Sequence, residues 1–235
     1  MHSWKGAALS SMDLHAAGAR YGAPFWDFHR ANLHRCLLTR AVSLGTTIRV
    51  NARVTTLEDG GRTAVLWSGE RIASDLVIAA DGIHSQMREW FVGRADPPRK
   101  TGDLAYRLLL GTEKMLADAE LRGMVEVPGV DYWLGPRKHA VCYVLRGGKQ
   151  VNVVLLVPDD LAEGESVVRG DVETMRAMYE GWDPRITKML ALAEDVMKWR
   201  LCVRTDDLKS WGNEEGTFVM IGDAVHATLP YLASG

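Results

Sequence analysis

The sequence predicts an α/β fold (α+β overall) in two interleaved lobes, with an α/β layer at each end of the chain and a mostly antiparallel sheet inserted between them. Three observations predict it. Two short apolar strand patterns, Leu76–Ala80 and Thr217–Ile221, each run into an Asp and a Gly and then a turn toward a helix. Between them, beyond Pro97-Pro98, the character changes to long strand patterns. A chain of 235 residues, 47% hydrophobic and 25% charged, allows one domain comfortably and two tightly knit ones at most.

Residues 1–29 mix Gly, Ala and aromatics without a sustained period and are assigned no element. From Arg30 to Ser43, Leu33, Leu37, Leu38, Ala41 and Val42 recur at helical spacing, with Gly45 placed to cap the end. Ile48–Leu57 and Thr63–Trp67 are β-rich and flank Glu58-Asp59-Gly60-Gly61, which supplies the φ > 0 positions of a hairpin turn. Leu76–Ala80 is continuously apolar, as expected of a strand buried on both faces. Ser85–Phe91 reads as a helix. Strands are expected at Leu104–Leu110, Val125–Leu134, Ala140–Arg146 and Val151–Val157, the last two joined as a hairpin across Gly147-Gly148. Asp171–Glu180 and Pro184–Ala193 read as helices, Asp183-Pro184 being an N-cap and first-turn pair. Val196–Val203 and Thr217–Ile221 complete the strands.

Composition narrows the function. With 28 basic and 30 acidic residues the net charge is -2, so no global positive field points to nucleic acid or an anionic membrane. Cys36, Cys142 and Cys202 are too few and too far apart for a disulfide framework or a CxxC metal knot, and the histidines show no metal-ligand spacing. No apolar run approaches the roughly 20 residues of a membrane helix, and the first residues lack the apolar stretch of a secretory signal. The expectation is a cytoplasmic protein whose partner is a small molecule, with neither nucleic acid nor membrane.

Carboxyl ends of strands in open α/β sheets are where ligands bind, and a carboxylate there accepts hydrogen bonds from sugar hydroxyls while an adjacent Gly lets a ligand approach the backbone. Turn chemistry alone also produces Asp-Gly pairs. The fuller motifs are more specific. Ala80-Asp81-Gly82-Ile83-His84-Ser85 with Arg88 resembles the "DG" motif of single-component flavoprotein aromatic hydroxylases, and Gly222-Asp223-Ala224-Val225-His226-Ala227-Thr228-Leu229-Pro230-Tyr231-Leu232 resembles their "GD" motif. His29-Arg30-Ala31-Asn32-Leu33 resembles a helix start bearing an FAD-contacting arginine, and Thr101-Gly102-Asp103-Leu104-Ala105-Tyr106-Arg107 resembles the first strand of the substrate domain. The four segments occur in family order, and the resemblance is to the salicylate-hydroxylase-like branch of FAD-dependent monooxygenases.

That resemblance implies a partial Rossmann-like FAD-binding domain over 1–103, a substrate-binding sheet domain over 104–205, and a return to the FAD-binding domain over 206–235. It implies FAD as cofactor and NAD(P)H as co-substrate, with oxygen transferred from a flavin C4a-hydroperoxide to a small phenolic or aromatic substrate. Asp223 would bond the ribityl chain, with Gly222 and Ala224 beside it, and Arg30 would pair with FAD through its guanidinium. Asp81 and Gly82 would sit near the pyrophosphate, and Pro230 beside the isoalloxazine ring. Arg107 and Tyr143 are the candidate substrate residues. A structural ion pair is the competing reading for Arg107, and a place in the core for Tyr143, Tyr106 and Tyr132. Structural hydrogen bonding competes with a proton-shuttle role for His84 and His226, and Trp133, Trp182 and Trp199 are read as core.

The sequence departs from the family in holding no GxGxxG, the turn that bears the ADP half of FAD on a helix N-terminus. The chain is therefore expected to be a central portion of such an enzyme, and to bind FAD weakly or not at all by itself. The alternative is a truncated, catalytically inactive relative that serves as a binding module, or a gene fragment without function. A related hydroxylase acting on another phenol, such as a polyketide phenol, fits the same residues.

Overall fold

The computed structural model describes residues 1–204 and 208–231. In chain order these form β1 (His2–Ser3), α1 (Leu14–Tyr21), α2 (Arg30–Ser43), β2 (Val54–Glu58), β3 (Thr63–Leu66), β4 (Arg71–Ala73), β5 (Val77–Ala79) and α3 (Gln86–Val92). Then follow β6 (Arg99–Gly111), α4 (Glu113–Ala117), α5 (Arg122–Glu126), β7 (Val130–Gly135), β8 (Lys138–Leu145), β9 (Gln150–Pro158) and β10 (Val167–Arg169). The chain closes with α6 (Val172–Met178), α7 (Pro184–Ala191), β11 (Met197–Val203), β12 (Phe218–Met220) and α8 (Asp223–His226). No helix among the described residues is long and apolar enough to cross a membrane.

Two units result, Met1–Gly45 with Gly102–Arg200, and Thr46–Thr101 with Leu201–Gly235. Residues 1–45 group with the sheet unit rather than with 46–101, because β1 pairs in parallel with β7 and Arg146 bonds Asn32 at the start of α2.

The first unit is built on a seven-stranded sheet in the order β1-β7-β8-β9-β6-β11-β10, antiparallel from β7 through β8 and β9 to β6. Strict alternation sorts its side chains. Leu104, Tyr106, Leu108 and Leu110 of β6 share one face with Val151, Val153, Leu155 and Val157 of β9, Ala140 and Cys142 of β8 and Trp133 of β7. That face is the core, covered by Met175 and Tyr179 from α6 and its end and by Ile186, Met189 and Leu190 from α7. Asp171 and Asp183 cap these helices, accepting from Thr174 N–H at 2.7 Å and Arg185 N–H at 3.0 Å.

In the second unit, β2, β3 and β4 form an antiparallel sheet, and β5 pairs in parallel with β12. Leu57, Ala79, Met87, Phe218, Met220 and Val225 make its core, with Trp90 edge-on to Phe218 at 5.1 Å.

The structure corrects several expectations. Leu76–Ala80 is not buried on both faces: Leu76 and Ile78 are 45% and 55% exposed, because β5 has one strand partner and only its Val77 and Ala79 side meets the core. Val125–Leu134 splits into α5 and β7, since Pro128-Gly129 interrupts the run and Val125 is buried from a helix. Extension begins at Val54 rather than Ile48, after Asn51 turns the chain at φ 55. Trp199 is 40% exposed, unlike the buried Trp133 and Trp182. Residues 1–29, left without an assigned element in the sequence reading, hold β1 and α1.

Candidate functional site

In the second unit the parallel pairing of Phe218 with Val77, Val219 with Ile78 and Met220 with Ala79 brings the two Asp and Gly turns together. Both turns leave the carboxyl ends of neighbouring strands, the crevice position of open α/β sheets. Gly82 has φ +81 and Gly222 has φ +59, and a Cβ at either would meet nothing within 4 Å. Open space therefore lies against the main chain of both turns. Asp223 is exposed and begins α8, while Ala224 is buried beneath it. Asp81 is engaged locally: its Oδ1 accepts the Ser85 hydroxyl at 2.5 Å and its Oδ2 accepts the Met87 N–H at 3.2 Å. Ser85 Oγ in turn accepts the Arg88 N–H at 2.9 Å, so Asp81 and Ser85 together cap α3. Pro230 lies exposed in the segment after α8, and Leu232 of the motif is outside the described residues.

In the first unit, register decides which side chains leave the core. Arg107 pairs with Val154, Val154 with Val141 and Val141 with Tyr132, so these four share a row on the face opposite the core. The next row on that face joins Leu109, Asn152, Tyr143 and Val130. Arg107, Tyr143 and Tyr132 are all half-buried there, whereas Tyr106, one residue from Arg107, is in the core.

Burial lowers the Arg107 pKa, the charge of Arg30 lowers it further, and Tyr143 opposes the shift. The Arg107 guanidinium stands 5.4 Å from the Trp199 ring, while its Nε is buried without a hydrogen-bond partner among the described residues. Among the described residues no ion pair is formed by Arg107. Burial raises the Tyr143 pKa, Asp27 adds to the rise, and Arg107 and Arg30 pull it back. Tyr143 is therefore a neutral hydroxyl at ordinary pH, able to donate. Arg30 itself is exposed at the first position of α2, whose start is held by Arg146 Nη2 donating to Asn32 Oδ1 at 3.0 Å.

His84 and His226 are exposed, the latter with its ring 5.2 Å from Trp211. Asn152 and Asp27 are not singled out by sequence, and Trp199 is expected there in the core. The alternation of β11 placed Trp199 one face away from Lys198, whose ammonium lies over the core residue Tyr106, and that was the available signal.

The second unit thus holds a parallel strand pair ending in two glycine turns, and the first an antiparallel sheet with Arg107 and Tyr143 on its open face. A family profile described as "FAD binding domain" matches residues 10–235, and the chain belongs to that family. It is 44% identical over 220 residues to the FAD-dependent monooxygenase OpS4 of Beauveria bassiana (strain ARSEF 2860), covering 92% of this chain and 51% of that protein. It is 34% identical over 220 residues to a 3-amino-4-hydroxybenzoate 2-monooxygenase of Streptomyces cremeus, with 92% and 51% covered. A solved salicylate hydroxylase substrate complex superposes with a TM-score of 0.72 at 25% identity, over 88% of this chain and 53% of that one. The chain thus spans about half the length of the curated relatives it matches. FAD fits the residues present: open main chain at Gly82 and Gly222 admits a ligand, and exposed Asp223 offers acceptors for hydroxyl groups.

Proposed function

We propose that this chain carries the ribityl-side flavin contacts and the substrate sheet of a monooxygenase that uses NAD(P)H and O₂ to hydroxylate a small phenolic ring. The observation that carries the proposal is the parallel pairing of β5 with β12, which sets Asp81-Gly82 beside Gly222-Asp223 with open main chain at both glycines. FAD, when bound, supplies the redox and oxygen-transfer chemistry. The chain's residues bind, orient and hold protons. Asp223 accepts from ribityl hydroxyls, Gly222 and Ala224 bring main chain to the cofactor, and Asp81 shapes the Gly82 turn by capping α3. Arg30 pairs with FAD, and Pro230 borders the ring side.

On the open sheet face Arg107 receives a substrate carboxylate or phenolate, relieving a guanidinium whose burial and like-charged neighbour disfavour its charge. The Tyr143 hydroxyl, kept protonated by burial, donates to the ring oxygen and stabilises phenolate. The test is product analysis of a complete enzyme carrying these residues, loaded with flavin and given NAD(P)H and hydroxybenzoates. Hydroxylated product is expected, and Arg107→Ala should lose it while retaining FAD. Unchanged turnover in Arg107→Ala removes that residue from the site.

A further inference from the structure

Arg88 closes the first motif but has no role in the reading above, although its side chain is fully buried in the second unit. Its Nε donates to Asp96 Oδ2 at 2.5 Å, and its Nη1 donates to the main-chain carbonyl of Val225 at 2.9 Å. Val225 belongs to α8, the turn that begins with Asp223. Arg204 reaches the same carboxylate from just beyond β11. Its Nη1 lies 3.4 Å from Asp96 Oδ2 and donates to the Asp96 carbonyl, and its Nη2 donates to the carbonyl of Ile83, the residue after Gly82. The Asp96 carboxylate therefore holds Arg88 and Arg204, with Arg94 Nη1 3.6 Å from its Oδ1, and Arg88 and Arg204 each grip the main chain of a different glycine turn.

We propose that Asp96 is a positioning residue that yokes the two turns through Arg88 and Arg204 and so sets the separation of the Gly82 and Gly222 main chains. The strand ladder does not do this by itself. It ends at Ala79 and Met220, with one further bond from Ile221 N–H to the Ala79 carbonyl at 2.9 Å, and the turns lie beyond it. The charges suit the task. Burial opposes ionisation of Asp96, but the Arg88 hydrogen bond and the charges of Arg88, Arg204 and Arg94 outweigh it and hold the carboxyl below its ordinary range. Arginine suits the task where lysine does not, since each link needs one planar group to donate in two directions. The functional consequence rests on the flavin reading: two turns that contact one cofactor must keep a fixed spacing.

The test is amide hydrogen exchange on the full 235-residue chain carrying Asp96→Ala, Arg88→Met or Arg204→Met. The probes are the bonded amides of Ser85 and Met87 in one turn and of Val225 and His226 in the other, with β2 and β3 as reference. Asp96→Ala should raise exchange in both turns, on the order of tenfold above any change in β2 and β3. Arg88→Met should act mainly at Val225 and His226, and Arg204→Met mainly at Ser85 and Met87. Asp96→Asn, which keeps an acceptor oxygen, should restore part of the protection. An equal rise in both turns and the reference strands, or no rise, overturns the yoke. Should Asp96→Ala fail to fold, the opposed patterns of the two arginine variants decide. A parallel titration with FAD separates the two readings: a wild-type chain that does not respond to FAD counts against the flavin assignment, while the exchange pattern still decides the yoke.

Discussion

Replacing Arg107 by Met should make the protein more stable while removing its proposed substrate contact. The Arg107 Nε is buried with no hydrogen-bond partner among the described residues, and a buried unsatisfied group costs about 1–3 kcal/mol. The side chain is only half-buried, so the lower part of that range applies. Against it stands the loss of the guanidinium's approach to the Trp199 ring at 5.4 Å, a contact worth about 0.5–1 kcal/mol at an exposed aromatic. Methionine keeps most of the apolar stem and carries no charge for burial and Arg30 to penalise. The balance is a gain of up to about 1 kcal/mol, equivalent to a rise of at most roughly 2–4 °C in Tm for a chain of this size. Thermal and urea unfolding of both proteins measure it. Adding a hydroxybenzoate at about ten times its Kd should then stabilise the wild type by ~1.4 kcal/mol and leave the variant unmoved. A variant destabilised by about 1 kcal/mol or more would refute the reasoning, because it would make Arg107 a packing residue rather than a cation held ready for an anion.

Further outcomes follow from the same geometry. Asp183→Ala removes both the cap of α7 and the acceptor for the buried Trp133 indole N–H at 2.7 Å, and urea melts should show a loss of about 2–4 kcal/mol. Burial opposes ionisation of Asp183, but the Arg185 and Trp133 hydrogen bonds outweigh it and hold its pKa below the ordinary 3.8. Its contribution is thus complete above that value and lost as pH falls through the folded-state pKa, so the gap between wild type and Asp183→Ala should narrow in acid. Gly222→Ala forces a side chain onto φ 59, ψ −143, a region nearly restricted to glycine, and should cost about 1–3 kcal/mol in unfolding experiments. Ile78→Lys, on the exposed side of β5, should change stability by about 0.5 kcal/mol or less. Sedimentation should show less self-association for that variant, because Leu76, Ile78 and Ile221 are exposed apolar side chains.

Much of this arrangement was legible in the residues. Helix α2 follows its apolar spacing from Arg30 to Ser43, and the hairpin of β8 and β9 turns at Gly147-Gly148 because alternation on either side fixes its register. That same register carries Arg107 and Tyr143 to the open face, a placement that one residue of slippage would have reversed. Local pattern failed where tertiary context decides. An apolar run such as Leu76–Ala80 cannot show how many strands flank it, and Val125 is equally apolar in a strand or a short helix. Trp199 was read as core by size, although its position in an alternating strand sends it to the face of Arg107. The Asp96 link was invisible because Arg88, Asp96 and Arg204 meet only through the fold, 8 and 108 residues separating the bonded pairs.

The central claim is that the two glycine turns form one flavin-contacting surface, and amide chemical-shift mapping of the 235-residue chain with added FAD tests it most directly. Weak binding suffices for this measurement. The account predicts shifts concentrated at Asp81, Gly82 and Ile83 and at Gly222, Asp223 and Ala224, with β2–β4 unchanged and the pattern lost in Asp223→Ala. Shifts absent from both turns at millimolar FAD, or confined to one of them, would contradict it.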